Sequence, residues 1–323
     1  MKIKITEIKQ LCVDKLQKLG LSQQDSEVVM DAYLYGELTG KKSHGLSAFS
    51  GIEKKIGAVK GTPNIIKEDD TYALIDGNNG LGILVGKFAI EMAIQKSKAK
   101  GIALVGINNM QSYLMPGYYA KMASEKDMIG ITIDNSRSRV VPYGGIEPKL
   151  GTNPIGIAIP TQDTPFVLDM ATATRAMGEV RLAKKLGEVL PKGMALDTQG
   201  NPTTDPDKVN ALTPFGGYKG YGLCLAIEIL AGSLVRAKMG SQMVSGEDRG
   251  YLFIVINPEI FVDIGTFKQE ISELLKEVKV AKKAKGVEEI FIPGEHALRN
   301  FAEAREKGEI EIFEKIVDDI KKI

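Results

Sequence analysis

Between residues 71 and 257 the chain alternates short apolar runs, which have the length and composition of β-strands, with longer helical patterns. The strand-like runs cover 71–76, 102–107, 129–134, 155–160 and 251–257, and the helical patterns cover 84–99, 117–125 and 218–236. Strands that alternate with helices in this way are typical of α/β folds. The intervening stretches 135–154 and 183–217 are rich in Gly, Pro, Asn and Thr, and we expect them to form shaped binding loops.

The two ends of the chain carry helical patterns. They predict one helix that stops at Gly20, one that is opened by a capping box at Ser22 and ends near Leu38, and two more over 295–307 and 309–322. We therefore expect three parts. A helical part covers 1–70, an α/β region that binds cofactor and substrate covers 71–262, and a second helical part over 263–323 packs against the first.

Composition excludes several classes of protein. The 323 residues contain 42 Lys plus Arg and 41 Asp plus Glu, so there is no basic excess for nucleic-acid binding. The most apolar stretch, around 223–235, is interrupted by Glu228 and Gly232, so we expect it not to span a membrane. No signal-peptide pattern is visible, and Cys12 and Cys224 lie in apolar helical patterns as reduced core residues do. A cytoplasmic protein is expected.

The segment Ser43-His44-Gly45 holds one of only two histidines in the chain. Histidine is the side chain whose ordinary pKa allows proton exchange near neutral pH, so His44 is the first candidate for a general acid or base. The sequence predicts that Ser43 caps a helix over 44–56 and that the dipole of this helix lowers the pKa of His44. The other histidine, His296, is interpreted as structural or as lying at the edge of a ligand site.

The glycine-rich segments lack the known phosphate-binding fingerprints. Gly77-Asn-Asn-Gly80-Leu-Gly82 does not have the spacing of the Rossmann motif, and no Walker A sequence is present, so neither of those folds is expected. In Gly217-Tyr-Lys-Gly-Tyr-Gly222, Lys219 stands between glycines directly before an apolar helix. Such a segment can bind a phosphate, although it can equally be a tight entry into the helix.

Asp169 follows the apolar run 166–168, where a carboxylate at the end of a strand can orient a histidine or bind a cofactor. Local sequence supports equally well that it caps the next helix. Two histidines and two dispersed cysteines provide no set of metal ligands. A serine hydrolase is not indicated either, because no Gly-x-Ser-x-Gly elbow occurs and Ser43 is adjacent to His44.

Several motifs occur together in the order found in one family. They are Ser43-His-Gly45, Asp76-Gly-Asn-Asn-Gly-Leu-Gly82, Met128-Ile-Gly-Ile-Thr132, Gly145-Ile-Glu-Pro-Lys-Leu-Gly-Thr-Asn-Pro154, Val167-Leu-Asp-Met-Ala-Thr172, Gly200-Asn-Pro-Thr-Thr-Asp-Pro206, Gly216-Gly-Tyr-Lys-Gly-Tyr-Gly222 and Ile292-Pro-Gly-Glu295. Over nearly its whole length the chain resembles the malate/L-lactate dehydrogenase family of the second type. That family also includes sulfolactate, ureidoglycolate and 2,3-diketogulonate reductases.

The resemblance implies a fold, a cofactor and site residues. The fold is a non-Rossmann, NAD- or NADP-binding α/β fold around a mostly antiparallel sheet, flanked by a helical domain built from both chain ends, and the protein is a homodimer. His44 is the proton donor, with Asp169 as the second catalytic candidate. The cofactor contacts are Pro165, Phe166, Val167, Leu168, Asp169, Met170, Ala171, Tyr218, Lys219, Gly220, Gly294, Glu295 and His296. The substrate-binding positions are Ser43, Ala48, Asn109, Ser112 and Thr152.

Two of these positions depart from the family pattern. Ala48 stands where the family commonly has an arginine suited to a substrate carboxylate, and Ser112 stands where it often has a histidine. Loss of the guanidinium removes the strongest means of holding a carboxylate. The candidates to replace it are Arg137, Arg139 and Arg175.

Three functions are consistent with these features, in order of preference. The first is hydride transfer between a nicotinamide and a small 2-hydroxy acid or 2-keto acid such as malate, lactate or sulfolactate, with His44 as acid/base. The second is reduction of the C=N bond of a cyclic imino acid on the same fold. The third is a cofactor-binding protein that has lost catalysis. A small-molecule substrate and a second copy of the chain are the expected partners, with neither nucleic acid nor membrane involved.

Overall fold

A computed structural model describes the backbone of residues 1–323 and every side chain except that of Leu186. The helices are α1 (Ile5–Lys18), α2 (Gln23–Leu38), α3 (Leu46–Phe49), α4 (Ile52–Gly57), α5 (Gly82–Lys100), α6 (Pro116–Ser124), α7 (Met177–Leu186), α8 (Tyr218–Leu230), α9 (Ile264–Lys279), α10 (Glu295–Lys307) and α11 (Glu314–Lys321). The strands are β1 (Lys2–Lys4), β2 (Asn64–Glu68), β3 (Tyr72–Gly80), β4 (Ile102–Met110), β5 (Ile129–Asp134), β6 (Ile155–Ile159), β7 (Phe166–Met170), β8 (Ala195–Leu196), β9 (Pro202–Thr203), β10 (Ala211–Leu212), β11 (Gly250–Ile256) and β12 (Glu309–Glu311).

A mixed seven-stranded sheet forms the centre of this α/β fold, in the order β2-β3-β4-β11-β5-β6-β7. Strands β3 and β4 pair in parallel, whereas the other five neighbouring pairs are antiparallel. Strand β11 lies in the middle, and its sequence Gly-Tyr-Leu-Phe-Ile-Val-Ile is apolar on both faces. Because helices cover both sides of this strand, a continuous apolar run is what its position requires.

The two faces of the sheet are covered by different helices. Helices α5 and α6 cover one face, where Ile90, Tyr119 and Phe253 belong to one buried cluster. Helix α8 packs on the other face, where Ile227 meets Leu252. The resulting arrangement brings the ends of β5, β6 and β7 toward the N-terminus of α6.

The chain ends meet through a two-stranded sheet and a shared core. Strand β1 pairs antiparallel with β12, and Leu16, Val29, Leu298 and Val317 from α1, α2, α10 and α11 lie in one buried cluster. The helix expected over 309–322 therefore begins only at Glu314. Because Lys-Ile-Lys of β1 and Glu-Ile-Glu of β12 present opposite charges across the pair, the strand is favoured over a further helical turn.

Other local predictions had mixed outcomes. Helix α2 begins and ends as predicted, and the Ser22 side chain accepts a hydrogen bond from the Asp25 amide. The stretch 183–217 is not only loop, since it holds the last residues of α7 and the small sheet β8–β10. Strand β2 was not predicted. All five of its residues are exposed, and its sequence lacks the alternation of apolar and polar residues that marks a strand.

One helical stretch among the described residues is long and apolar enough to cross a membrane by length and composition. It is Tyr218–Val235, with 18 residues and a mean hydropathy of 1.2, and 39% of it is buried inside the structure. The α-helix itself ends at Leu230, and 13 residues extend only about 20 Å. The carboxylate of Glu228 is buried in it and accepts hydrogen bonds from Asn153 Nδ2 (2.6 Å) and the Gly240 amide (2.8 Å).

Candidate active site

A cavity of about 720 Å³ opens beside His44. Its walls come from the turn that carries His44, the loop before α6, the end of β7 and the start of α7. The lining residues are Gly40, Lys41, Lys42, Ser43, His44, Leu114, Met115, Pro116, Thr152, Pro154, Asp169, Met170, Ala171, Ala173, Thr174, Arg175, Ala176, Glu179, Leu182 and Phe215. Residues from five distant segments therefore converge on one histidine.

The His44 turn is fixed against the C-terminal end of α2. The buried carboxylate of Glu37 accepts a hydrogen bond from the Leu46 amide at 2.9 Å, and burial raises the pKa of this carboxyl. A Cβ on Gly45 would lie only 2.8 Å from Glu37 Cα, and one on Gly36 would lie 2.8 Å from the carbonyl oxygen of His44. Both glycines are thus needed for close packing, which holds the histidine in place.

His44 lies in a one-turn 3-10 helix, Lys42–His44, which corrects the helix predicted over 44–56. That segment is divided into α3 and α4, and Ser43 is not an N-cap. Gly45 precedes α3 and Gly51 precedes α4, and the chain turns at both glycines. Gly45 in addition has to lie against Glu37, which a continuous helix would not allow. The predicted dipole of a long helix is consequently absent from the environment of His44.

Burial lowers the pKa of His44 to about 4. The charge of Asp169 opposes this effect, whereas those of Lys41, Arg181 and Lys55 reinforce it. Ser43 Oγ lies 3.1 Å from Nδ1 of the ring, and among the described residues Nε2 has no hydrogen-bond partner. The imidazole is therefore neutral near pH 7 and can accept a proton from a group in the cavity.

Asp169 is held beside His44 by an ion pair. Its Oδ2 lies 2.6 Å from Lys41 Nζ, which also donates to the Asp169 carbonyl oxygen at 3.1 Å. The side chain of Asp169 is only 10% exposed. It does not cap the following helix, since α7 begins at Met177 with Ala176 as its N-cap.

The N-terminus of α6 approaches Asp169 through two glycines. Gly156 of β6 is opposite Asp169 in the β6–β7 register, and a Cβ on Gly156 would lie 2.6 Å from the Gly117 nitrogen. A Cβ on Gly117 would lie 2.5 Å from Asp169 Cβ. The N-terminal turn of α6 therefore packs directly against the Asp169 side chain.

The predicted cofactor segment 165–171 lies against the segment that begins α10. A Cβ on Gly294 would lie 3.0 Å from Val167 Cβ, and Val167, Leu168, Asp169 and Gly294 line a cavity of about 260 Å³. Pro165, Phe166 and Glu295 line a neighbouring cavity of about 390 Å³. Met170 and Ala171 line the His44 cavity itself. Strand β7 and the residues next to its ends therefore contribute to the walls of all three cavities.

The remaining predicted cofactor residues differ in their surroundings. Glu295 accepts a hydrogen bond from the Ile292 amide at 3.1 Å and pairs with Lys279 and Arg299. His296 contacts Asn300 and the ring of Phe291.

Tyr218, Lys219 and Gly220 form the first turn of α8 and are not among the described residues that line the His44 cavity. A Cβ on Gly220 would lie 2.9 Å from the carbonyl carbon of Phe215, which does line it.

The predicted substrate positions separate into two groups. Ser43 and Thr152 line the His44 cavity. Among the described side chains, Ala48, Asn109 and Ser112 do not. Ala48 packs against the helical core. Asn109 Nδ2 donates to Asp76 Oδ1 at 2.8 Å, and Ser112 Oγ accepts from the Leu114 amide at 3.4 Å.

Of the arginines considered as replacements for the family's guanidinium, Arg175 lines the cavity. Lys41 was not anticipated, although it lies in Gly40-Lys-Lys-Ser43, directly before the histidine segment. The two cations preceding a candidate base were the only local signal. Glu179 and Phe215 gave no such signal, because only the fold brings them to the cavity.

The α/β fold thus brings a half-buried histidine with a lowered pKa and an ion-paired carboxylate to the wall of one cavity. The family model of malate/L-lactate dehydrogenase matches residues 3–321, so the chain belongs to the malate/L-lactate dehydrogenase family. It is accordingly an NAD(P)-dependent oxidoreductase that acts on CH–OH groups. Relatives 31% to 33% identical are named as NADP+- or NAD+-dependent dehydrogenases.

Three similar proteins illustrate the family. Malate/(S)-sulfolactate dehydrogenase of Methanothermus fervidus is 40% identical over 331 residues, which cover 98% of this chain and 95% of the relative. The structure of sulfolactate dehydrogenase from Methanocaldococcus jannaschii has a TM-score of 0.91 and 39% identity, and the match covers 100% of this chain and 96% of that one. The structure of Δ1-piperideine-2-carboxylate reductase from Pseudomonas syringae has a TM-score of 0.86 and 25% identity, with coverage of 100% and 99%.

Proposed function

We propose that the protein interconverts a small 2-hydroxy acid and its 2-keto acid, with His44 as the acid/base. The observation that carries this proposal is that His44 and Asp169 line the same cavity. Lys41, three residues before His44, forms the ion pair with Asp169 and lines this cavity as well. Near neutral pH the imidazole takes the hydroxyl proton of the 2-hydroxy acid, and in the reverse direction it returns a proton to the developing alkoxide.

The residues around β7 fit a nicotinamide cofactor, which supplies the hydride acceptor or donor for this reaction when bound. The close approach of Gly294 to Val167 leaves no room for a side chain at position 294, so the main chain before α10 lies directly against β7. Asp169 and the main chain of 165–171 would hold the cofactor, with Gly294 closing the groove. The first turn of α8, with Lys219 exposed, would reach a more distant phosphate or ribose.

Arg175 is our candidate for the substrate carboxylate next to the reacting carbon. The arginine that the family commonly places at position 48 is replaced by Ala48, which is partly buried against the helical core. Arg175 lines the His44 cavity, and its ion pair with Glu179 is long (3.4 Å) and half exposed. Because such a pair contributes little free energy, the guanidinium can exchange Glu179 for a substrate carboxylate.

Further parts of the proposal concern architecture. We propose a non-Rossmann NAD(P)-binding fold with the three-part division at 1–70, 71–262 and 263–323. We also propose a homodimer. Helix α8 and the turn after it leave Leu225, Ile229, Leu230 and Leu234 exposed, and an apolar surface of this kind is suited to a second copy of the chain.

Replacement of His44 by Ala tests the proposed role. Turnover should fall by roughly 10²–10⁴-fold, the contribution expected of a general acid or base, while NADH binding followed by fluorescence changes little. Arg305→Ala, which changes an exposed side chain on α10, is the control and should retain wild-type turnover. Unchanged turnover in the His44 variant would refute the assignment.

A substrate screen tests the reaction class. Oxidation of NADH and NADPH would be followed with pyruvate, oxaloacetate and 3-sulfopyruvate beside piperideine and pyrroline carboxylates. The likeness to a piperideine carboxylate reductase makes cyclic imino acids the second candidate. Activity confined to those imino acids would replace the first proposal by the second, and cofactor binding without any turnover would indicate lost catalysis.

A further inference from the structure

Lys41 and Asp169 form the boundary between two cavities. Both residues line the His44 cavity of about 720 Å³, and both line the cavity of about 260 Å³ that lies between β7 and Gly294. No other described residue lines the two cavities together. The ion pair, with Lys41 Nζ 2.6 Å from Asp169 Oδ2, therefore stands between the space beside His44 and the space along β7.

The two members of this pair differ in how firmly they are held. Asp169 belongs to β7, where it is paired with Gly156 of β6, and its side chain is largely buried. Lys41 lies directly before the 3-10 helix Lys42–His44, and its longer side chain is 32% exposed. The carbonyl oxygen of Lys41 accepts a hydrogen bond from the His44 amide at 2.8 Å, which fixes the backbone of Lys41. Opening the boundary therefore requires movement of the Lys41 side chain, while β7 stays in place.

The Lys41 ammonium and the Asp169 carboxylate have no other hydrogen-bond or ion-pair partner among the described residues. Nζ donates to the carboxylate and, at 3.1 Å, to the Asp169 carbonyl oxygen. Because the ammonium is partly exposed, this pair is easier to exchange than a fully buried one. A carboxylate accepts hydrogen bonds from hydroxyl groups, and an ammonium group donates to anions. Ligands that offer hydroxyl donors on one side and an anion on the other can therefore replace both contacts.

The charged side chains of the His44 cavity favour an anion beside Lys41. They belong to Lys41, Lys42, Arg175, Asp169 and Glu179. Lys41 pairs with Asp169, and Arg175 pairs with Glu179. If Asp169 turns its hydrogen-bonding capacity to a ligand along β7, the three cations outnumber the one remaining carboxylate. The cavity then carries positive charge where an acidic substrate lies.

We propose that Lys41 is a substrate-binding residue that Asp169 holds in an ion pair until the cofactor binds. The proposal rests on the proposed function, in which the cofactor lies along β7 and the substrate lies beside His44. With cofactor present, Asp169 accepts hydrogen bonds from cofactor hydroxyl groups and Lys41 turns into the His44 cavity. There the ammonium group binds the substrate carboxylate together with Arg175. Binding of the cofactor thereby raises the affinity for the substrate, and by linkage the substrate raises the affinity for the cofactor.

Lys41→Met tests the cofactor side of the proposal with the full-length protein. Fluorescence titration without substrate measures the dissociation constant for NADH or NADPH, whichever wild type binds more tightly. Since the variant has no ion pair to open, we expect it to bind that cofactor roughly 5- to 20-fold more tightly than wild type. Unchanged or weaker binding would refute the proposal. Lys41→Gln repeats the measurement if the Met variant does not fold, and Lys98→Gln, which changes an exposed side chain on α5, should bind as wild type does.

Steady-state kinetics test the substrate side, with pyruvate, oxaloacetate and 3-sulfopyruvate as probes at saturating cofactor. For the keto acids that wild type reduces, Lys41→Met should raise KM roughly 10- to 100-fold and keep kcat within about threefold, as expected for loss of a hydrogen bond to a charged group. Lys41→Arg should recover most of this loss. An unchanged KM would exclude Lys41 from the substrate site. A fall in kcat as large as the rise in KM would place Lys41 at the reacting oxygen, and either result would overturn the proposal.

The proposed function and the role of Lys41 fail in different ways. If wild type binds cofactor but reduces none of these keto acids, the proposed function is refuted, while the cofactor titration of Lys41→Met still tests the ion pair. If wild type reduces a keto acid and Lys41→Met does not both tighten cofactor binding and raise KM, the proposed function stands and the exchange of partners by Lys41 is refuted.

Discussion

The unusual pKa of His44 predicts a measurable dependence of stability on pH. Burial lowers this pKa from 6.5 to about 4 in the folded protein, whereas in the unfolded chain it returns to 6.5. Well above pH 6.5 the imidazole is neutral in both the folded and the unfolded state, so it does not make the free energy of unfolding depend on pH there. As the pH falls from 6.5 to 4, the unfolded chain binds a proton that the folded protein does not. The free energy of unfolding therefore decreases by about 3 kcal/mol on this account.

His44→Gln removes that contribution while keeping a polar side chain in the cavity. We expect the stability of the variant relative to wild type to rise by about 3 kcal/mol between pH 7 and pH 4. Urea unfolding at several pH values in this range would measure the difference, with His296→Gln as the control because it changes the chain's other histidine. If the difference between the His44 variant and wild type stayed constant with pH, the imidazole would not be held neutral by burial. The same low pKa predicts that kcat/KM for oxidation of the hydroxy acid declines only near pH 4, since that step needs neutral His44.

Two other predictions concern Asp169. Lys41→Met should cost roughly 1–3 kcal/mol of stability in urea unfolding, because it leaves a largely buried carboxylate without its partner. It should also shift the acid limb of kcat/KM to higher pH, since Lys41 lowers the pKa of His44 and Asp169 raises it; an unshifted limb would mean that Lys41 does not influence the histidine. Gly117→Ala should lower stability by roughly 1–3 kcal/mol and weaken NADH binding, because the new methyl group meets Asp169. Equal NADH affinity in a fluorescence titration of Gly117→Ala would contradict the close approach of α6. Gly57→Ala is the control, because Gly57 is also helical, has no positive φ, and its Cβ would have no neighbour within 4 Å.

Local signals in the sequence were sufficient for several elements. The capping box at Ser22 placed the start of α2, and the apolar runs placed β4, β5, β6 and β11 to within a few residues. These features depend on neighbours along the chain, such as a side-chain cap three residues away or an apolar residue at every second position. The local pattern that predicted a helix over 44–56, capped by Ser43, was wrong. Gly45 packs against Glu37 of helix α2, and a contact between separate helices is not visible in the local sequence.

By itself the sequence determined the candidate base, the α/β class and the family resemblance, because all three are encoded in residue identity and order. Only the tertiary structure decided how the pKa of this candidate base is set. His44 is neutral through burial rather than through a helix dipole, and Asp169 is held by Lys41, 128 residues earlier in the chain. Burial and charge interactions depend on distances in space, and those distances are fixed only when remote segments pack together.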